Sequence, residues 1–347
     1  MTEQHRRYRV IQWATGNIGT RAMQAVIDHP QMELVGLWVS SPEKAGKDAG
    51  ELAGRAANGV KATNSVDELA ALDADCVLYM RKGTDYDEIA RLLASGKNVI
   101  TTTGEFHHVP SIPPDERGKI DQACRDGNTS LYDTGCSPGF ITEALPIVLL
   151  SLARRVDCVT IDEFADCSSR NSPDMLFNVM GFNQPSCDFD QHRVGHLKAH
   201  FATSLAQLAD AIGLEIDEWQ GFGEYSATRS KAEIAAGTIE AGYTGAQRIT
   251  IQGVSQGKPK LRIRLNWYVS RDIVDDWELG PVGGWRILIE GDTPLDVRIT
   301  YPVAPEDYAD FTPGLTAHRP VNAIPMVCAA EPGIRTTVDL PQVIARL

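Results

Sequence analysis

The sequence predicts an α/β fold: a parallel-sheet domain, followed by a second α+β domain with an open, mostly antiparallel sheet. Its amino-terminal part alternates short apolar runs with helical patterns, as βαβ units do. Its middle part alternates apolar and polar residues, most clearly over residues 260–270, which is typical of a sheet with one buried face. With 347 residues, the chain is long enough for two cores.

The first domain is predicted to cover residues 1–141, and residues 315–347 are expected to pack back on it. Its strands are predicted at residues 8–14, 33–40, 75–80, 98–103 and 130–134. Its helices are predicted at residues 17–29, 65–72, 85–95 and 114–126. Ser65 is expected to cap its helix, because Glu68 follows at capping-box spacing. Gly96 and Gly127 are expected to end the last two helices.

The second domain is predicted to cover residues 142–314. Its strands are expected at residues 156–165, 248–252, 260–270, 285–290 and 295–301. A long helix over residues 188–212 should cover the buried face of this sheet. The apolar residues 317–330 predict a further helix, the one that returns to the first domain.

Composition excludes some classes of partner. The net charge of −13 argues against binding nucleic acid or an anionic membrane through bulk charge, so an anionic cofactor needs local binding devices. Seven cysteines without a CxxC pair indicate free thiols in a reducing compartment. The amino terminus lacks a signal-peptide pattern, and the most apolar run, 144–153, is too short to span a bilayer. We therefore expect a cytoplasmic protein.

A glycine-containing turn, ATGNIG, joins the first predicted strand to the first helix. Gly16 would let the backbone approach a pyrophosphate, Gly19 would let helix and strand pack closely, and the helix N-terminus would attract the phosphates. Ala14 stands where the usual pattern has its first glycine. The order strand–turn–helix predicts a Rossmann dinucleotide site; a tight turn without a ligand is the alternative. The predicted cofactor contacts are Thr15, Gly16, Asn17, Ile18 and Gly19.

The end of the second strand bears on the choice of cofactor. No acidic residue stands there to bind an adenosine ribose, whereas Ser40, Ser41 and Lys44 suit a 2′-phosphate. Glu43 argues in the other direction. We therefore predict that NADP binds and that NAD is also accepted; the alternative is that these are only polar loop residues.

Glu105 follows the strand predicted at residues 98–103, at the edge of a parallel sheet where ligands bind. Thr102, Thr103 and Gly104 would line the cofactor. A carboxylate at this position suits a general base or an ammonium anchor, with a solvated loop glutamate as the alternative. His107 and His108 are predicted to be bystanders.

A second turn of small residues follows the strand predicted at residues 130–134. Ser137, Pro138 and Gly139 would reach the nicotinamide carboxamide, and Phe140 would pack beside the ring. Cys136 suggests a nucleophile, but the local sequence places no histidine to activate it, so a buried, inert thiol is the better interpretation. The remaining predicted cofactor contacts are Arg81 and Asn322.

Two other patterns are discounted. The segment GVSQG at residues 253–257 matches a hydrolase nucleophile pattern, but it is predicted to connect two antiparallel strands, and that pattern requires strand–turn–helix. His192, His196 and His200 share one helical face at a spacing that could hold a metal. Because no HExxH pattern accompanies them, a polar pocket wall is favoured and no metal is predicted.

Taken together, four segments resemble the dihydrodipicolinate-reductase-like group, and within it the 2,4-diaminopentanoate dehydrogenases and native amine dehydrogenases. These segments are RVIQWATGNIGTRAMQAVI, NVITTTGE, SPGF and VNAIPMVCAAEPGI, and the resemblance covers nearly the whole chain. The His-His-x-x-Lys and Pro-Ser-Gly-Thr segments of dihydrodipicolinate reductase itself are absent, as is the Glu-Lys-Pro signature of the sugar dehydrogenases.

The resemblance implies reversible oxidative deamination of an amine or diamine, or reductive amination of a small ketone or aldehyde with ammonia. It implies that Glu105 is the catalytic glutamate, that relatives form homodimers through the second-domain sheet, and that second-domain residues line the substrate. The candidate substrate residues are Phe140, Thr142, Asn171, Met175, Phe177, Met180, His196 and His200. Two alternatives stay open: reduction of a cyclic imine or semialdehyde, and nucleotide sensing without catalysis.

Overall fold

The computed structural model describes residues 7–185, 188–280, 283–304 and 307–346. The chain divides into two compact units. Unit 1 comprises Met1–Phe140 and Ala309–Leu347, and unit 2 comprises Ile141–Tyr308. Unit 1 is therefore built from both ends of the chain, with unit 2 inserted between them.

Unit 1 contains a seven-stranded, fully parallel sheet in the order β15-β6-β5-β4-β1-β2-β3. The strand order reverses beside β1, and this switch point is where ligands bind in folds of this kind. The strands are β1 (Tyr8–Trp13), β2 (Met32–Trp38), β3 (Ala62–Thr63), β4 (Cys76–Tyr79), β5 (Asn98–Thr101), β6 (Ser130–Asp133) and β15 (Gly333–Arg335).

Helices cover both faces of this sheet, as the apolar strands require. One face packs against Met23 of α1 and Ile324 of α8, and the other against Ile89 of α4 and Ile120 of α5. The helices are α1 (Asn17–Asp28), α2 (Ala49–Leu52), α3 (Val66–Ala71), α4 (Tyr86–Ala94), α5 (Pro114–Gly127) and α8 (Tyr308–Cys328). The prediction over residues 317–330 found only the later part of α8, because Pro313 interrupts the helical pattern before it.

Two predicted helix ends can be compared with the structure. The Ser65 hydroxyl accepts the backbone N–H of Glu68 at 3.2 Å, which confirms the predicted cap. Gly127 was expected to end its helix as the residue after it, but Gly127 is the last residue of α5, and the left-handed C-cap is Asn128, with a φ of +53°. Gly127 is still required, because a Cβ there would lie 1.9 Å from the carbonyl oxygen of Leu93. Close packing of α5 on α4 therefore selects this glycine.

Unit 2 contains a six-stranded sheet in the order β14-β13-β7-β12-β11-β8, in which only the β7–β12 pair is parallel. The predicted mostly antiparallel sheet is thus confirmed. Its strands are β7 (Val156–Asp166), β8 (Glu218–Ala227), β11 (Thr244–Ser255), β12 (Lys258–Tyr268), β13 (Gly283–Gly291) and β14 (Leu295–Thr300). A small hairpin adds β9 (Ala232–Ile234) and β10 (Gly237–Ile239).

Helix α7 (Gln191–Ala211) packs against one face of this sheet, as predicted, and α6 (Leu145–Leu150) precedes β7. Gly221 and Gly223 on β8 make room for Val194 and Phe189 respectively. The GVSQG segment lies between β11 and β12, which pair as antiparallel strands, so the hydrolase pattern was correctly discounted.

The cysteines in the described part of the chain are free thiols, as expected. They are Cys76, Cys124, Cys136, Cys158, Cys167 and Cys328. Cys187 lies outside the described residues. Within the described ranges, no helix has the length and apolar character needed to cross a bilayer.

Candidate active site

The ATGNIG turn connects β1 to α1 with an open helix N-terminus. Gly16 is the N-cap residue in an extended conformation, without a side-chain cap, and the first turn of α1 carries no acidic residue. The space where a Gly16 Cβ would stand has no atom within 4 Å, whereas a Gly19 Cβ would lie 2.3 Å from the Ala14 carbonyl oxygen. Gly19 thus permits close packing, and Gly16 leaves space for a phosphate over unpaired N–H groups.

Ala14 adopts a left-handed backbone with φ of +76°. This is the position of the first glycine in the usual pattern, and an alanine there costs about 1–2 kcal/mol relative to a right-handed conformation. The buried Gln12 amide donates to the Ala14 carbonyl at 3.1 Å and helps to fix the turn. The turn therefore keeps the shape of a glycine turn although its first residue has a side chain.

A cavity of about 470 Å³ adjoins this turn at the ends of β2 and β4. Its lining contains cationic and hydroxyl side chains and no carboxylate. The Lys44 ammonium donates to the Thr15 hydroxyl at 2.9 Å. The Arg81 guanidinium donates to Glu88 at 3.0 Å and lies 5.5 Å from the centre of the Trp38 ring. The lining residues are Ala14, Thr15, Gly16, Trp38, Ser40, Ser41, Lys44, Met80, Arg81 and Lys82.

These residues fit a dinucleotide. The open helix N-terminus provides donors for the pyrophosphate, and the basic cavity beside it suits a phosphorylated adenosine. Glu43, the acidic residue near this cavity, is not among its lining residues. Hydrogen bonds from its own backbone and from Ser41 lower the pKa of the Glu43 carboxyl. Of the predicted cofactor residues, the structure thus brings together Thr15, Gly16, Ser40, Ser41, Lys44 and Arg81.

Glu105 lies in the loop that follows β5. The residues on either side of it, Gly104 and Phe106, are both hydrogen-bonded to the Asp133 carboxylate. The N–H groups of Gly104 and Phe106 donate to Asp133 Oδ2 at 2.9 and 3.0 Å. The Thr84 hydroxyl donates to Glu105 Oε2 in a short hydrogen bond. Gly104 has a φ of +97°, which favours glycine at this bend. Backbone and side chain of Glu105 are therefore both held in place.

Asp133, at the end of β6, is fully buried. Burial raises the pKa of its carboxyl to about 6, and Glu105 adds to the rise, while His107 and the two backbone donors oppose it. His107 Nε2 lies 3.8 Å from Asp133 Oδ1, and the ring is 3% exposed. His107 was predicted to be a bystander, but its ring lies against the Asp133 carboxylate that holds the Glu105 loop. His108 instead contacts Ser111 at 2.7 Å.

The raised pKa of Asp133 predicts a pH dependence of stability. The folded state binds this proton more tightly than the unfolded state, whose carboxyl has an ordinary pKa of 3.8. Its contribution to stability is therefore fully present below pH 3.8 and is lost as the pH rises through about 6. Asp133→Asn removes this titration and keeps an oxygen for the two N–H groups. We expect the unfolding free energy of the variant, from urea titrations, to depend less on pH between 4 and 6, by up to about 1.4 kcal/mol per pH unit; equal slopes in both proteins would contradict this.

The second predicted cofactor turn, Ser137–Gly139, lies in an irregular segment after β6 and contains a cis Ser137–Pro138 bond. Arg319 of α8 donates to the Thr134 hydroxyl at 2.9 Å, and its guanidinium lies 5.4 Å from the centre of the Phe140 ring. Phe140 is 36% exposed. Asn322 lies half-buried one turn further along α8.

The remaining candidate substrate residues belong to unit 2. Thr142 is buried, with its hydroxyl against that of Ser204. Phe177 and Met180 pack against a core cluster that includes Leu176 and Phe182. The other four are exposed or half-buried, on the segment after β7 and on α7; they are Asn171, Met175, His196 and His200.

Sequence reasoning missed the residues that position Glu105. Asp133 offered a usable signal, because it ends a parallel strand adjacent to the one before Glu105. Thr84 offered none, since a threonine in a polar turn belongs to no pattern.

A parallel sheet with a glycine-containing turn and an open helix N-terminus at its switch point is the architecture of dinucleotide-binding domains. Residues 10–112 match the family of the dihydrodipicolinate reductase N-terminus, an NAD(P)-binding Rossmann domain. Residues 140–347 match the family of the 2,4-diaminopentanoate dehydrogenase C-terminal domain. The chain therefore belongs to the amine dehydrogenase and 2,4-diaminopentanoate dehydrogenase family, as the resemblance predicted, and is an NAD(P)-dependent oxidoreductase of the amine dehydrogenase class.

Individual proteins show the same relationship. An amine dehydrogenase from Streptomyces virginiae is 29% identical over 95% of each chain. A 2,4-diaminopentanoate dehydrogenase from Acetoanaerobium sticklandii is 24% identical over 77% of this chain and 74% of its own. The solved structure of an amine dehydrogenase from Mycobacterium smegmatis shares the fold with a TM-score of 0.72 and 19% identity, covering 99% of this chain and 98% of that one.

Proposed function

We propose that this protein catalyses the reversible reductive amination of a small ketone or aldehyde with ammonia, with Glu105 as the general base. The observation that carries the proposal is the fixed carboxylate at the end of β5. Thr84 holds one oxygen of Glu105, and Asp133 holds the backbone on both sides of it. A general base needs a fixed geometry before its proton affinity matters, and these contacts fix the geometry of the Glu105 carboxylate.

Glu105 would act on protons in both halves of the reaction. The carboxylate accepts a proton from ammonium, and the ammonia so formed attacks the carbonyl carbon to give a carbinolamine. The carboxyl then returns that proton to the departing hydroxyl, which leaves as water, and the carboxylate stabilises the cationic iminium. Bound nicotinamide supplies the hydride that reduces this carbon to the amine. In the reverse direction the same carboxylate would accept a proton from the water that attacks the iminium and return it to the nitrogen that leaves as ammonium.

An absorbance assay at the reduced-cofactor band tests this function. We expect oxidation of NADPH when a small ketone and a high concentration of ammonia are both present, and none when either is omitted. Oxidation with a cyclic imine or a semialdehyde in the absence of ammonia would instead favour the reductase alternative. Tight NADPH binding without oxidation across the panel would favour nucleotide sensing.

We further propose that NADP is the preferred cofactor and that NAD is accepted. The basic, carboxylate-free cavity at the end of β2 supports this preference. Lys44→Ala should lower kcat/KM for NADPH by about tenfold, the value of one charge-assisted contact, and change it little for NADH. Lys47→Ala, an exposed lysine outside the cavity lining, is the matched control. An equal loss with both cofactors would show that Lys44 does not contact a 2′-phosphate.

A further inference from the structure

One carboxylate beside the cofactor cavity of unit 1 accepts three hydrogen bonds on a single oxygen. Glu88 lies in the first turn of α4, and its side chain is only 9% exposed. Its Oε1 accepts the Trp13 indole N–H at 3.1 Å, the Tyr79 hydroxyl at 2.7 Å and the Arg81 guanidinium at 3.0 Å. The donors come from β1, from β4 and from the segment after β4. Glu88 therefore ties two neighbouring strands of the sheet to the wall of the cavity.

Two of these donors belong to a group of stacked aromatic rings that reaches the cavity. The Trp13 and Trp38 rings lie 5.2 Å apart between centres, with their planes 4° from parallel. The Tyr79 ring lies 6.1 Å from that of Trp13 at 24°. Trp13 and Tyr79 are fully buried, whereas Trp38 lines the cavity. The Trp38 ring is thus supported by rings that Glu88 holds.

The third donor, Arg81, forms part of the cavity wall and is paired in charge with Glu88. Its guanidinium lies 5.5 Å from the centre of the Trp38 ring. Among the described residues, Arg81 is the one cationic group within 4.0 Å of the Glu88 carboxylate. A carboxylate with so little exposure needs such a partner to offset the loss of hydration. The guanidinium is therefore held in one place, and its charge is largely neutralised.

The other cationic residues of the cavity lining, Lys44 and Lys82, carry charges that are not paired in this way. The Lys44 ammonium donates to the neutral hydroxyl of Thr15. In the part of the chain that the structure describes, no carboxylate oxygen lies within 4.0 Å of either ammonium. An ammonium without a nearby anion attracts a phosphate dianion more strongly than a guanidinium that already has one. The cavity therefore contains two kinds of cation.

We infer that Glu88 is a positioning residue for the adenosine end of the cofactor. It holds Arg81 beside Trp38 as a flat, charge-paired group that packs on the adenine of NADP and NAD alike, and it leaves recognition of the 2′-phosphate to Lys44 and Lys82. The plane of a guanidinium packs well on an aromatic ring. This inference rests on the proposed binding of both cofactors in this cavity and is independent of the amination reaction.

Fluorescence titrations of NADPH and of NADH, without ketone or ammonia, test the inference. Arg81→Ala should weaken the binding of both cofactors by the same factor, about tenfold. Glu88→Gln keeps an oxygen for the Trp13 and Tyr79 donors but removes the charge, so that Arg81 becomes free to pair with a 2′-phosphate. The ratio of NADPH affinity to NADH affinity should therefore rise by about tenfold in this variant. In the double variant Arg81→Ala/Glu88→Gln, the ratio should return to its wild-type value.

Asp87→Asn is the matched control, because Asp87 lies in the same turn of α4, is exposed and pairs with Lys119 at 2.6 Å. It should leave both affinities unchanged. Loss of folding would lower both affinities together without raising their ratio, and thermal melting checks that each variant is folded.

An unchanged ratio in folded Glu88→Gln, or a raised ratio that persists in the double variant, would overturn the inference. A loss confined to NADPH in Arg81→Ala would do the same, and this variant decides the matter if Glu88→Gln does not fold. Because only binding is measured, a failure of the proposed amination would leave these results intact, and the reverse also holds.

Discussion

Replacing Glu105 with alanine is expected to lower kcat for reductive amination by about 10²–10⁴-fold, the usual contribution of a positioned general base. The variant loses the group that accepts the proton of ammonium and that stabilises the iminium. NADPH binding should be unchanged, because Glu105 does not line the cavity of the phosphate turn. Steady-state kinetics and an equilibrium titration of NADPH measure the two effects separately.

Two further variants separate the base from its surroundings. Thr84→Val removes the hydroxyl that donates to Glu105 but keeps the carboxylate, so we expect a smaller loss of kcat and a displaced pH–rate profile. Glu105→Asp keeps the charge on a shorter side chain and should retain partial activity. Full turnover by Glu105→Ala would eliminate Glu105 as the base, whatever the other variants do.

Substitution of Gly16 by alanine is expected to weaken NADPH binding by about 10–100-fold, or roughly 1.4–2.7 kcal/mol, while leaving the fold intact. Its φ of −72° suits any residue, and its Cβ would meet no protein atom within 4 Å. The methyl group would instead occupy the space that the pyrophosphate needs above the start of α1. Fluorescence titration of NADPH and thermal melting would measure both quantities.

The matched control is Gly118→Ala on α5, where a Cβ also meets no atom within 4 Å. It should leave NADPH affinity unchanged. Gly19→Ala should behave differently from Gly16→Ala, because the added Cβ would overlap the Ala14 carbonyl oxygen. This substitution should lower the melting temperature of the protein as well as its affinity for NADPH. If Gly16→Ala binds NADPH as tightly as the wild type, the phosphates do not sit on this turn.

Most long elements of both units were predictable because their apolar periodicity is strong, but the ten-residue strand β8 (Glu218–Ala227), where Gly221 and Gly223 interrupt the pattern, was missed. The strands that escaped prediction include β3 and β15, which have two and three residues and carry too little periodicity to detect. Strand β11 runs over Thr244–Ser255, well beyond the predicted residues 248–252, because its ends mix glycine and polar side chains. Sheet neighbours, rather than local preference, decide these boundaries.

The residues of the candidate site also fall into those that the sequence predicted and those that it did not. Gly16, Gly19 and Glu105 were found because a local pattern or a strand end marks them. Thr84 was not, because its role depends on Glu105, which lies 21 residues further along the sequence. Only tertiary structure reveals such pairs.

The insertion of unit 2 between the two parts of unit 1 constrains the order of events during synthesis. Strand β6 finds its outer partner, β15, only when Gly333–Arg335 has emerged from the ribosome. Until then the amino-terminal segment carries an open strand edge, and the sheet face that α8 covers remains exposed. Unit 1 begins first in the sequence but is completed only when its carboxyl-terminal part has been synthesised. A chain whose synthesis stops early would therefore carry an incomplete nucleotide-binding unit.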